Sequence, residues 1–191
     1  MTLLSSFELL FEPITPKVQP PINPSPSVPD PVVVQAYFVL ISNVGGTDAS
    51  LTLEFNSTPN STLTIKDTLA IFDIENKGFT TLPVTAFDPK PPFIKTKAHL
   101  PLLKAGQTGI FLLQPNIANL LSTLGTPPDI TKTKFGFRGY VNVSSDTHSQ
   151  FLISPQTRGT FLDASTPPNL KVVSQEAFSL PTAGSNLFTF P

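Results

Sequence analysis

The chain has no cysteine, no tryptophan, one methionine and only two arginines in 191 residues. Without cysteine there is no disulfide framework, no thiolate zinc or iron–sulfur site and no thiol nucleophile, and either redox compartment stays open. Without tryptophan one common surface for sugar stacking is missing. Charge is also scarce, at 13% of residues with a net charge of −1, where a globular chain carries about a quarter. No broad field is therefore available to attract nucleic acid or an anionic membrane. No apolar run approaches the roughly 18 residues of a membrane-spanning helix. No phosphate-cradling G-x-x-x-x-G-K-[ST] occurs either, and AGQTG reads as a hairpin turn.

Proline is abundant, with 22 residues, and Ser and Thr together make up about a fifth of the chain, well above an average composition. The first residues, MTLLSSFELLFEPITPK, place Leu3, Leu4, Phe7, Leu10 and Phe11 at helical spacing, with Thr2 to cap and Pro13 to stop. An edge strand is the other reading. A helix this short is marginal in water, so it is expected to dock, either on its own domain or on a neighbouring subunit. The segment lacks a basic region and a cleavage site and carries Glu8 and Glu12, so it is a poor secretory signal. That favours the cytoplasm or a virion over the cell surface.

Eight prolines follow between Pro13 and Pro31. Proline fixes φ and removes an amide donor, so the stretch is expected to be an extended arm that no sheet interior accepts. Its reach is about 60 Å at polyproline rise, against a radius of gyration near 15 Å for the remaining body. The domain reading is thus an apolar segment plus arm over 1–31, a β-domain over 32–180 and an apolar tail over 181–191. In the tail Phe188 and Phe190 stand where a free end would be polar.

From Val32 the punctuation is that of strands. Val32 to Ser42 is β-branched and aromatic on both faces, as in a central strand covered on two sides. The turn Asn43-Val44-Gly45-Gly46 then leads to the alternating Leu51, Leu53 and Phe55, expected to form a short hairpin. Further strands are expected at 63–66, 69–74, 79–84, 109–114, 134–143, 150–153, 159–162 and 170–178. In 134–143, Phe135, Phe137, Val141 and Val143 share one face, and Lys134, Arg138, Tyr140 and Asn142 the other. Only Ile117 to Leu124 reads as a helix, capped by Asn116 and ended by Gly125. The fold class is therefore all-β, a single antiparallel β-sandwich with one short helix and a Pro-rich N-terminal arm.

FVLISNVGGTDASLTLEF and the later LKAGQTGIFLLQP resemble bacterial and archaeal immunoglobulin-like domains of the CARDB type. The matching stretches are Val39 to Phe55 and Lys104 to Gln114, and the matching features are an Asn-x-Gly turn and an Ala-Gly-Gln-Thr turn. Gly45, Gly46 and Gly106 are expected to supply positive φ there. The resemblance implies an immunoglobulin-like sandwich with an adhesive or structural role and no catalytic residue.

Titratable chemistry is thin. His99 and His148 are isolated, with no metal-ligand spacing. Ser145, Asp146 and His148 adjoin without a nucleophile elbow. Asp73 and Glu75 lie two apart on an expected strand and so share a face, a geometry open to acid–base or calcium chemistry and to a plain solvated strand end. Arg138-Gly139-Tyr140 starts like an RNA-stacking strand, but Val141 and Asn142 break the pattern. The sequons at Asn56, Asn60 and Asn142 read as chance matches in so Ser/Thr-rich a chain.

The first functional reading is a non-enzymatic subunit that self-assembles into a filament, sheath, capsid or similar lattice. Its candidate interface residues are Leu3, Leu4, Phe7, Leu10, Phe11, Arg138, Tyr140, Phe188 and Phe190. The alternative is a monomeric binding module for carbohydrate, a small ligand or a partner protein, with Arg138, Tyr140 and Tyr37 as first contacts. An enzyme comes last. No catalytic residue, cofactor, metal, nucleic acid or membrane span is expected; homo-oligomers are, and a small ligand fits either reading.

Overall fold

The computed structural model describes residues 1–13, 32–58, 67–88, 94–123, 134–163 and 171–191. Twelve strands and one helix follow in order: β1 (Thr2–Pro13), β2 (Val32–Asn43), β3 (Leu51–Ser57), β4 (Thr68–Ile74), β5 (Thr80–Leu82), β6 (Val84–Asp88), β7 (Ile94–His99), β8 (Thr108–Pro115), α1 (Ile117–Thr123), β9 (Phe135–Ser145), β10 (Ser149–Asp163), β11 (Lys171–Ser179) and β12 (Leu187–Phe190). They form one 12-stranded sheet, and every strand pair described is antiparallel. Among the described residues the chain is all-β with one short helix, as the punctuation predicts.

The sheet forks at β2. Strand β10 runs along β2 from Val32 to Asn43. The other edge of β2 is shared, with β1 opposite Val32–Gln35 and β8 opposite Tyr37–Ser42. One limb continues through β8, β4 and β5, and the other through β1, β9, β3, β7 and β6. The limbs curl toward each other into a nearly closed, barrel-like sheet. Across the gap the ring of Phe55 on β3 lies 5.9 Å from Phe111 on β8 and 6.1 Å from Tyr37 on β2. With Phe7, Phe72, Phe137 and Phe151 these rings are the centre of the core. Each edge-to-face pair adds about 0.5–1.5 kcal/mol beyond its area.

Strand β2 changes its buried face where its edge partner changes. Val32 and Val34 are buried at one end, then Tyr37, Val39 and Ile41 at the other, with Ala36 and Tyr37 both buried at the crossover. Such a strand reads from sequence as apolar on both faces, but its far half is covered on one face only, and Leu40 is exposed.

Four sequence expectations need correction. The first segment is a strand, not a helix: β1 pairs with β9 from Thr2 to Phe11 and on its other edge with β2 only over Leu10–Pro13, so the edge-strand reading holds for its first part. The helical face omits Leu9, which is buried, whereas Phe7, Leu9 and Phe11 alternate into the core at the strand period. Second, β2 and β3 are not a hairpin, since β3 pairs with β7 and β9. The loop between them leaves β2 at the fork and crosses to β3 in the limb that starts at β1, tied by the Ala49–Leu103 bridge. Asn43 organises that crossing. Its Nδ2 donates to the carbonyls of Thr47 and Leu103 at 2.9 Å each, and its Oδ1 accepts from the Gly45 amide. Third, of the three turn glycines only Gly106 has positive φ. The tight hairpin lies instead at β4–β5, where Glu75 and Asn76 have φ of 56° and 58° and the Lys77 amide donates to Ile74, the signature of a type I′ turn. Fourth, Gln150–Ile153 and Gly159–Leu162 are parts of one strand, β10, which runs through Pro155. It can do so because β10 changes partner there, from β12 to β11, and the Pro155 carbonyl faces Leu180 rather than β2.

The expected Pro-rich arm falls on residues 14–31, outside the described residues. Its flanking residues Pro13 and Val32 are cross-strand partners. The expected strand at 63–66 also lies outside. Helix α1 has its cap in place, with the Asn119 amide donating to Asn116 Oδ1 at 3.3 Å.

Candidate functional site

Two clefts lie on opposite sides of the β2–β10 pair. In β10 successive side chains face opposite ways, so Thr157, opposite Tyr37, serves one cleft and Arg158, opposite Ala36, the other. The larger cleft, about 550 Å³, opens where β1 diverges from β2 and is walled by Phe7, Glu8, Gln35, Arg138, Thr157 and Phe178. Glu8 and Arg138 are register partners on β1 and β9, and their side chains meet at 2.7 Å. Gln35 Nε2 donates to the Glu8 carbonyl at 3.2 Å and to its carboxylate at 3.3 Å. The smaller cleft, about 250 Å³, has Val34, Ala36 and Phe38 as its floor. There the Arg158 guanidinium stacks 4.1 Å above Phe38 and donates to Gln156.

Strand β11 flanks both clefts, with Gln175, Glu176 and Ala177 on one and Phe178 on the other. Among the described residues it pairs with β10 alone. All nine of its residues are exposed, including Val172, Val173 and Phe178 at 52%, 65% and 59%. Among the described residues its other edge is unpaired, and its apolar side chains stand in water.

The expected interface residues divide by placement. Leu4, Phe7, Phe11, Phe188 and Phe190 are buried in the core of their own chain. The Phe190 ring meets Phe151 at 6.2 Å, because β12 pairs with β10. Leu3 is exposed, Leu10 is half-buried beside β2, and Arg138 and Tyr140 lie on the outward face of β9 opposite Glu8 and Ser6. Tyr37 is a core residue whose hydroxyl shares a buried 2.8 Å hydrogen bond with Ser5 Oγ. Burial pushes its phenol well above the ordinary range, against the smaller opposing effect of the Ser5 bond.

Several other titratable groups make local bonds at turns and strand ends. Asp73 is buried on β4 and accepts from the Gly78 amide. Glu75 sits beyond the strand end, where hydrogen bonding and charge from Lys77, at 2.7 Å, hold its carboxyl below the usual range. The two therefore do not form a shared acidic face. Asp146 accepts from the Ser50 amide, and Ser145 Oγ bonds Ser50 and Ser149. His99 bonds Thr52 across β3–β7. Among the described residues no three His, Asp or Glu side chains gather as a metal-ligand set. Asn56, the asparagine of a sequon, is buried on β3.

Strand β11 was legible as a strand but not as a surface. The available signal was the scatter of Lys171, Ser174, Gln175 and Glu176, which leaves it no wholly apolar face.

No protein-family model matches the chain, and no curated protein matches it. Among solved structures, one described as "AvmM Catalyzes Macrocyclization in Alchivemycin A Biosynthesis" aligns with 94% of this chain and 89% of its own, at 9% identity and a TM-score of 0.28. At that score neither fold nor activity carries from one chain to the other. Among the described residues no helix is long and apolar enough to cross a membrane, which says nothing of a β-barrel.

Proposed function

We propose that the chain is a non-enzymatic structural subunit, an immunoglobulin-like sandwich that joins copies of itself through exposed strand and sheet surfaces. The observation that carries this reading is β11, nine exposed residues with one edge unpaired among the described residues and three large apolar side chains in water. Natural proteins blunt such edges or use them. The outward face of the adjoining strands adds Leu40, Leu152 and Leu187, all exposed. The titratable side chains of the larger cleft support a structural rather than a catalytic role, since Glu8 and Arg138 are spent on each other.

Light-scattering mass with electron microscopy over a range of concentrations tests this. The full chain is expected to form dimers or larger assemblies, and Val173→Lys to shift the mass toward the monomer. A chain that stays monomeric at every concentration overturns the proposal. The two clefts favour a second reading, a monomeric binding module for a small ligand or partner, which a strictly monomeric chain with a saturable ligand would support.

A further inference from the structure

The order of residues along β11 names its partner. Read antiparallel against itself about Gln175, the strand sets Val172 opposite Phe178, Val173 opposite Ala177, Ser174 opposite Glu176 and Lys171 opposite Ser179. Apolar meets apolar, and neither Lys171 nor Glu176 faces its own sign. Among the described residues the unpaired edge belongs to the same residues, since β10 occupies only the other side. The bulge opposite Phe161 and Leu162 leaves Val173 without a partner on β10, so the regular stretch is Ser174–Ser179, with Gln175 inside it near one end. The chain's net charge of −1 sets little repulsion between two copies. We infer that β11 pairs antiparallel with β11 of a second copy across a two-fold axis at Gln175, joining two sheets into one. This rests on the self-assembly reading and gives it a partner and a register. A two-fold contact of this kind is self-complementary and closes, yielding a dimer rather than an open fibre. Growth beyond the dimer would fall to another surface.

A chain without cysteine makes the register directly readable. Directly opposed residues lie about 4.5–5.5 Å apart at Cα, within disulfide reach of about 7 Å. Residue 172 and its copy would lie six positions apart along the strand, about 20 Å. Full-length Gln175→Cys and Val172→Cys proteins, both altered at exposed sites, are oxidised mildly and run without reductant, with circular dichroism as the check on folding. The expected result is a covalent dimer for Gln175→Cys, in about tenfold or greater excess over Val172→Cys. If the unaltered chain assembles but neither variant cross-links, or both do equally, the register is wrong while self-assembly stands. If the unaltered chain is monomeric throughout, both fall together.

Discussion

The seating of β1 can be tested through the one polar bond it carries into the core. Ser5 Oγ and Tyr37 OH lie 2.8 Å apart, and both residues are buried. Removing the phenol oxygen with Tyr37→Phe loses a bond worth about 1 kcal/mol net and strands the serine hydroxyl, for a total cost of about 1–3 kcal/mol. Ser5→Ala strands the phenol instead and costs a similar amount. The double variant leaves neither group unsatisfied and is expected to cost clearly less than the sum, with a coupling of about 1–2 kcal/mol. Urea unfolding followed by circular dichroism measures all four proteins, and repeating it at several protein concentrations shows that the bond lies within one chain. The same residue predicts an alkaline limb. Because burial raises the Tyr37 pKa, the folded chain holds that proton more tightly than the unfolded one. Its contribution is complete below about pH 10 and falls above it, at up to about 1.4 kcal/mol per pH unit. Tyr37→Phe should flatten that limb. Additive single costs, or a coupling that grows with concentration, would refute the placement of β1 beside its own Tyr37.

Other outcomes follow from the packing. A Cβ on Gly139 would be driven into the carbonyl of Asn56 on the neighbouring strand, so Gly139→Ala should cost about 3 kcal/mol or more in the urea midpoint. Asn43→Ala removes two buried donors and one acceptor at the limb crossing and should cost about 2–4 kcal/mol by the same measurement. Arg138→Gln breaks an ion pair whose arginine side chain is 61% exposed, so its stability effect should stay within about 1 kcal/mol. A chain starting at Val32 exposes the paired edge of β9 and the rings around Phe7, and should lose its cooperative unfolding transition.

Much of the fold was legible because strands with one covered face announce themselves by alternation. Phe137, Val141 and Val143 against Arg138 and Tyr140 is such a case, and the capped helix after Asn116 is another. Pairing was not legible. The Asn43–Gly46 turn looks local, yet β2 and β3 do not pair, with β1 and β9 lying between them in the sheet, because register is fixed by side chains far away in sequence. The first segment misled for a related reason: Leu3, Leu4 and Leu10 complete a helical pattern, and only the neighbours β2 and β9, which the segment cannot specify, decide for the strand. Of the candidate site, the sequence alternation puts Arg138 on the face of β9 opposite Phe137, where it lines the larger cleft. The exposure of β11 depends on what does not pack against it, which no local pattern records.

The pairing of β1 with β9 has a consequence in time. Phe11 is matched to Phe135 and Thr2 to Val143, so during synthesis β1 must wait for about 130 further residues before its main partner exists. At translation rates of roughly 5–20 residues per second that delay is on the order of ten seconds. For that interval Phe7, Leu9 and Phe11 travel as an unpaired apolar ribbon, with β2 able to hold only its last few residues. The barrel-like sheet is therefore sealed late, by a strand made well before its partner. A nascent chain stalled before Phe135 should bind chaperones through these N-terminal residues, and release of the complete chain should end that binding.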